Sequence, residues 1–175
     1  MKIFLTGASG TGKTTVGRLL SNHYDLPLQP SISRTSPHKI GTTDHQKYIS
    51  QKMFELAMSE DEDSVFDRSP LDIVGYDLAY GFPELSVSSL LNSVIWVQTK
   101  PLVIYFPVYW EPEDDGFRPT DEKTTTIVDL AIKSQLENSR MNYLTMPDVN
   151  PASRLTLAVD YINSMKENEI ADLHV

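Results

Sequence analysis

The chain has 175 residues, 40% of them apolar, and a formal net charge of −9. That is enough for one domain with its own core, and the acidic balance excludes a broad electropositive surface for duplex DNA while leaving room for a small groove with a few arginines. The absence of cysteine excludes disulfides and thiolate metal sites, and no apolar run approaches the roughly 20 residues that span a bilayer. A soluble, cytoplasmic protein with no membrane partner is expected, since the N-terminus carries a strand pattern where a signal peptide would lie.

Ile3-Phe4-Leu5 reads as the centre of a short buried strand. It runs into Gly7-Ala8-Ser9-Gly10-Thr11-Gly12-Lys13-Thr14, with the spacing G-x-x-x-x-G-K-[ST], and then into a helix over 14–22 with Val16, Leu19 and Leu20 facing inward. The residue types suit anion binding. Gly7, Gly10 and Gly12 let the backbone curve so that the amides from Ser9 and Thr11 through Thr15 surround phosphates at the positive end of a helix. Lys13 is placed to reach the β- and γ-phosphate oxygens, and the Thr14 hydroxyl to ligate Mg²⁺. ATP with Mg²⁺ is therefore the expected cofactor pair.

Residues 24–28 suggest a second strand, and Pro30 and Pro37 make 29–42 a loop. Within it, Ser31-Ile32-Ser33-Arg34-Thr35 surrounds an arginine with small side chains, so Arg34 is either a grip for a phosphate or base edge or a solvated loop residue. A helix follows over 43–59, capped by Thr43 or Asp44, with Tyr48, Met53, Phe54, Leu56 and Ala57 as apolar contacts. Glu60-Asp61-Glu62-Asp63 reads as a solvated turn.

Ser64-Val65-Phe66 then delivers Asp67-Arg68-Ser69-Pro70 to the end of a strand. A carboxylate there, beside a phosphate loop in a parallel sheet, meets Mg²⁺ or a nucleophilic hydroxyl; its bland role is to cap the helix begun by Ser69-Pro70, and the two are compatible. Arg68 is a candidate to hold an anionic substrate group.

A helix over 70–80 ends at Gly81-Phe82-Pro83, and another starts at Ser86 or Ser88 and reaches about 99, with Leu90, Leu91, Val94, Ile95 and Val97 expected in the core. Trp96 is read as packing or as a stacking surface for a ligand. Residues 101–106 form a strand that Pro107 stops. The polar loop over 109–123 turns at Asp115-Gly116 and carries Arg118 and Lys123, which suits a lid adding positive charge to a transferring phosphoryl group. A helix over 121–140, capped by Thr120 or Asp121 and burying Ile127, Val128, Leu130, Ala131 and Leu136, leads to a strand at 142–146. After a turn at 147–150, a helix over 151–167 with Asn150 as cap closes the chain. The alternation predicts one α/β domain over 1–175, a three-layer sandwich with a mainly parallel sheet of about five strands.

Taken together, GASGTGKTT, Asp67-Arg68-Ser69 and Asp115-Gly116-Phe117-Arg118 resemble the P-loop nucleoside and nucleotide kinase group, and the chain is similar to small bacterial and phage kinase-like ATPase domains related to nicotinamide-riboside kinases. Deoxynucleoside kinases carry Glu-Arg-Ser, and thymidylate kinases Asp-Arg-aromatic, where this chain has Asp67-Arg68-Ser69. The resemblance implies that Asp67 is the base or metal-facing carboxylate, that Arg68 touches the substrate, and that Arg118 is the lid arginine. It also marks two departures: a single lid arginine, and no separate strand ending in a bare aspartate to supply a further metal ligand. The implied activity is transfer of a phosphoryl group from ATP to a nucleoside or nucleoside monophosphate. Two alternatives stay open: a kinase acting on a hydroxymethylpyrimidine base within phage DNA, and a nucleotide-dependent regulatory ATPase.

Overall fold

The computed structural model describes residues 1–59, 63–110 and 121–172, with the side chains of 169–172 left aside. Five strands, β1 (Lys2–Thr6), β2 (Leu28–Gln29), β3 (Ser64–Asp67), β4 (Leu102–Tyr105) and β5 (Leu144–Thr145), form a parallel sheet in the order β2-β3-β1-β4-β5. Between them lie α1 (Lys13–Tyr24), a 3-10 turn (Ile32–Arg34), α2 (Thr43–Met58), α3 (Pro70–Ala79), α4 (Pro83–Val97), α5 (Glu122–Ser139) and α6 (Pro151–Asp172). This is the three-layer α/β sandwich expected from the alternation.

The strand period of two divides the core between the sheet's faces. Ile3, Leu5, Val65, Leu102 and Ile104 point to one side and pack with Val16 and Leu20 of α1 and Ala158 and Ile162 of α6. Phe4, Phe66, Val103 and Tyr105 point to the other, against Ala57 of α2, Leu71 and Tyr76 of α3, Trp96 of α4, and Val128, Ile132 and Leu136 of α5. Phe4 stacks on Phe66 with centroids 4.6 Å apart and meets the Trp96 ring edge-on at 4.9 Å. Trp96 is fully buried there, so of its two expected roles it takes the packing one. At Gly75 of α3, a Cβ would lie 2.9 Å from the Cα of Val128, so this glycine allows α3 to lie close on α5.

Several local expectations change. α1 continues to Tyr24 and Asp25 caps it with φ 52°, which moves the second strand out of 24–28 to Leu28–Gln29. The α2 cap is Thr42, whose hydroxyl accepts from the His45 amide.

The largest change is the face of α4. Leu90, Leu91, Val94 and Ile95 are 43%, 61%, 52% and 52% exposed, while Ser86, Ser89 and Ser93 are buried with Trp96 and Val97. The serines pack inward because each hydroxyl finds an acceptor: Pro83 O at 2.7 Å, Asp77 Oδ2 at 2.6 Å and Gln135 Oε1 at 3.0 Å. Small, satisfied side chains bring α4 close to its neighbours and leave the larger residues outside. The same reversal, on a smaller scale, leaves Leu130 of α5 exposed and buries Thr125 and Ile132.

Candidate active site

β1 and β3 lie side by side, with Leu5 opposite Asp67, so the loop leaving β1 and the residues leaving β3 meet at the C-terminal edge of the sheet. That edge is where a doubly wound sheet opens a crevice. Gly7 has φ 148° and a Cβ there would lie 2.4 Å from Phe106 O, while Gly12 has φ 89° and a Cβ there would lie 2.7 Å from Nη1 of Arg154. Both positions favour glycine on conformational grounds, and Gly7 also on steric ones, since the atom it would meet is backbone, whereas the Arg154 side chain at Gly12 can move. Lys13 is buried, and its ammonium donates to Ala8 O and, at 3.0 Å, to Thr11 Oγ1, which holds it within the curve of the loop. Gly10 and Thr15 are exposed, and Ser9 is partly buried.

Across the crevice, Thr14 Oγ1 donates to Asp67 Oδ2 at 2.6 Å. Asp67 is not the helix cap. Ser69 takes that role in a capping box with Asp72, and its hydroxyl accepts from the Leu71 amide at 3.2 Å. The buried carboxylate of Asp67 therefore serves the loop rather than the helix.

Arg68 has φ 144°, a conformation that side-chain-bearing residues rarely adopt and that persists when surrounding contacts fix it. Its Nη1 donates to Gly7 O at 2.8 Å and to Asp72 Oδ1 at 2.9 Å, its Nη2 to Ser9 Oγ at 3.3 Å, and its guanidinium lies 4.9 Å from the Tyr76 ring centre. Burial works against the charged guanidinium, but Tyr76, Asp72 and Asp67 outweigh it and hold the pKa above the usual arginine value.

Asp72 organises this corner. Fully buried, it also accepts from Thr6 Oγ1 at 2.8 Å, the Gly7 amide at 3.2 Å, the Ser69 amide at 2.8 Å and Ser69 Oγ at 3.0 Å. One carboxylate thus joins the end of β1, the start of the phosphate loop, Arg68 and the first turn of α3. Tyr76 adds a further tie, its hydroxyl 2.9 Å from Ser9 Oγ. From the far side, Arg154 of α6 donates to Thr11 O at 3.1 Å and lies 3.8 Å from Asp148.

Next to this corner is a narrow cavity of about 30 Å³, lined by Ser31, Ile32 and Ser33, by His45, Gln46, Ile49 and Met53 of α2, and by Arg68, Asp72, Ile73, Tyr76 and Tyr80. On α2 the spacing 46, 49, 53 and on α3 the spacing 73, 76, 80 are each one helical face. Arg34 is exposed and does not line this cavity; the 3-10 turn brings Ser31 and Ser33 there instead. Arg118 and the centre of the expected lid fall in 111–120, outside the described residues. Lys123 lies in the first turn of α5, whose cap is Asp121, accepting from the Thr124 amide at 2.8 Å.

Sequence reasoning therefore brings together Gly7, Ser9, Thr11, Gly12, Lys13, Thr14, Asp67 and Arg68. It misses Asp72, Tyr76, Gln46 and Arg154. Asp72 had a signal: Ser69-x-x-Asp72 is a capping-box pattern. Tyr76 lies one turn further along the same helix, Gln46 and Arg154 come from distant helices, and none of the three has such a signal.

Solved structures similar to this fold include several kinases and a NadR protein. A deoxyadenosine kinase from M. mycoides superposes with a TM-score of 0.70 at 14% identity, over 94% of this chain and all of the other. A NadR protein in complex with NR gives a TM-score of 0.69 at 17% identity, covering 93% of this chain and 50% of that one. The thymidylate kinase of Candida albicans gives 0.65 at 15% identity, with 94% and 92% covered. At these identities the likeness establishes a P-loop kinase fold. No curated protein matches the chain. The family model AAA_28, described as an AAA domain, matches residues 2–154, and the chain belongs to that family.

Proposed function

We propose that the protein transfers the γ-phosphoryl group of ATP to a nucleoside or nucleoside monophosphate that enters between the 3-10 turn, α2 and α3 and widens the narrow cavity there as it binds. The observation that carries this reading is the position of Arg68, which donates to Gly7 O of the phosphate loop and also lines the cavity. Donor and acceptor ends thereby share one side chain.

The residues suit ATP and Mg²⁺. The backbone of the loop is free of side chains at Gly7 and Gly12, Lys13 supplies a fixed cation, and Thr14 with Asp67 offers a hydroxyl and a carboxylate. Mg²⁺ uses few protein oxygens and takes the rest from phosphate and water. Thr14 and Asp67 would hold Mg²⁺, which would supply neutralisation of the charge that develops on the transferring group. The chain's own part is positioning. The loop amides and Lys13 fix the donor phosphates, Arg68 holds the acceptor against them, and Asp67 either orients Thr14 toward the metal or takes the acceptor's proton. Arg118 in the lid adds charge on the moving phosphoryl group.

Arg68 is the one arginine or lysine lining the cavity among the described residues, and it is already bonded to Asp72. A neutral nucleoside therefore suits the cavity better than a monophosphate. An ATP-dependent reaction fits a cytoplasmic setting, and no described helix is long and apolar enough to cross a membrane.

The test is transfer of label from γ-labelled ATP to a panel of nucleosides, nucleoside monophosphates and DNA containing hydroxymethylpyrimidines, with acceptor-free hydrolysis as control. Label in a nucleoside or monophosphate supports the proposal. Label in the DNA alone, or in free phosphate alone, rejects it in favour of a DNA-base kinase or a regulatory ATPase.

A further inference from the structure

α4 is apolar on two sides and covered on one. Trp96 and Val97 face the core, while Val87, Leu90, Leu91, Val94 and Ile95 stand out to solvent. Positions 87, 91, 94 and 98 alternate steps of four and three, and 90 and 95 flank them, so the five exposed side chains form one stripe along the helix. That spacing is the one by which a helix packs on another helix. A helix that is apolar all round belongs in an interior, which the single chain does not provide for this face.

Charge narrows what covers the stripe. From Leu85 to Thr99 there is no Asp, Glu, Lys or Arg, in a chain that is 22% charged with a net charge of −9. A charged partner finds no counter-charge here. Helices that lie on lipid flank their apolar stripe with lysine and arginine, and this run has neither. A second copy of the chain brings the same uncharged stripe, so the two meet without like-charge contact at the seam despite the acidic balance of the whole.

The face is also self-complementary. If two copies of α4 run antiparallel about a two-fold axis between Leu91 and Val94, Leu91 lies against Val94 of the partner subunit and Leu90 against Ile95 of the partner subunit. The first charges on either side of the uncharged run, Glu84 and Lys100, are both exposed and opposite in sign. The same arrangement therefore sets Glu84 against Lys100 of the partner subunit at each end of the seam. The five apolar side chains expose on the order of 500 Å², a suitable centre for an interface that takes about 800 Å² from each partner. Beside them a groove of about 210 Å³, lined by Leu71 and Val97 with Gln98, Gln135 and Asn138, extends the contact and supplies polar groups for its rim.

We propose that the chain forms a two-fold homodimer through the outer face of α4, the two copies of the helix running antiparallel. The inference does not depend on which acceptor, if any, the protein phosphorylates.

Sedimentation velocity on the full chain from about 1 to about 100 μM reads the oligomeric state, and a contact of this size should hold in that range. The chain has no cysteine, so one substitution places a unique thiol. Leu91→Cys, beside the axis, should be joined to its twin by a short bismaleimide; Leu157→Cys on α6, which packs on the opposite face of the sheet, should not. Val94→Lys sets two ammonium groups face to face across the axis and should weaken the dimer by roughly 10²-fold or more. Because Val94 is half exposed in the single subunit, far-UV circular dichroism should not change. Leu157→Lys should leave the dimer as it is. Should Val94→Lys fail to fold, the Leu91→Cys cross-link still decides.

A wild-type chain that stays monomeric throughout, whether or not it cosediments with phosphatidylcholine/phosphatidylserine vesicles, overturns the proposal. So does a dimer that folded Val94→Lys leaves intact, or one that cross-links through Leu157→Cys instead of Leu91→Cys, since its contact then lies on another face.

Discussion

The two halves of the site are built in opposite ways. At the phosphate end, Asp72, Arg68, Ser69, Thr6 and the Gly7 backbone bond to one another so densely that a strained φ at Arg68 is held in place. At the acceptor end, apolar side chains from α2, α3 and the 3-10 turn surround a narrow cavity whose wall includes Gln46, a buried residue with one amide oxygen lacking a partner among the described residues. Under the proposed function, the contrast follows from what each half must do. Electrostatic stabilisation of a moving phosphoryl group works when dipoles and charges are fixed beforehand, whereas recognition of an acceptor works through groups left to be completed by it.

The comparison breaks first at Asp72. Removing this carboxylate leaves the Arg68 guanidinium buried without its counter-charge, so Asp72→Ala should lose about 3–5 kcal/mol of stability in urea unfolding. A loss below about 1 kcal/mol would mean that the phosphate corner does not depend on this hub.

Lys13→Ala should act on chemistry rather than on fold. Transfer should drop by roughly 10²–10³-fold, with an unfolding midpoint close to that of the parent. Near-normal turnover would end the assignment of the loop to phosphate binding.

Asp67→Asn sharpens the boundary between the halves. Because Ser69 caps α3, the substitution leaves the helix start untouched, and transfer should fall by roughly 10²-fold if the carboxylate takes a proton. Recovery at high Mg²⁺ would instead identify Asp67 as a metal partner, and full activity at every Mg²⁺ concentration would remove both roles.

The difference between the halves also explains how far each was legible in the sequence. The phosphate loop is eight consecutive residues whose types and spacing are fixed by backbone geometry, and Asp67-Arg68-Ser69 stands at a strand end where chemistry gathers. The acceptor half is assembled from residues far apart in the chain: Gln46 on α2, Asp77 on α3 and Ser89 on α4 meet only through helix packing. No local pattern encodes that meeting. The same cause inverted α4, where periodicity favoured burying Leu90, Leu91, Val94 and Ile95, while hydrogen-bonded serines let the opposite face pack. Leu91→Gln should therefore change the stability of the dissociated chain by less than about 0.5 kcal/mol in thermal unfolding at high dilution, the smallest effect expected here. A loss of 2 kcal/mol or more would place Leu91 in a core.

The central claim is that phosphoryl transfer crosses from the loop at Lys13 to the cavity beside Ser33, and a single substitution that fills one side without touching the other tests it most directly. Ser33 is a partly buried cavity residue on a short turn, so Ser33→Trp adds bulk to the acceptor side alone. Calorimetry with ATP and labelled transfer to the best acceptor should be measured on the same preparation. ATP affinity should stay within roughly threefold of the parent while transfer falls by roughly 10²-fold or more, as misplacement of one reactant requires. Undiminished transfer, or an equal loss of ATP affinity and transfer, would contradict the division of the site into these two halves.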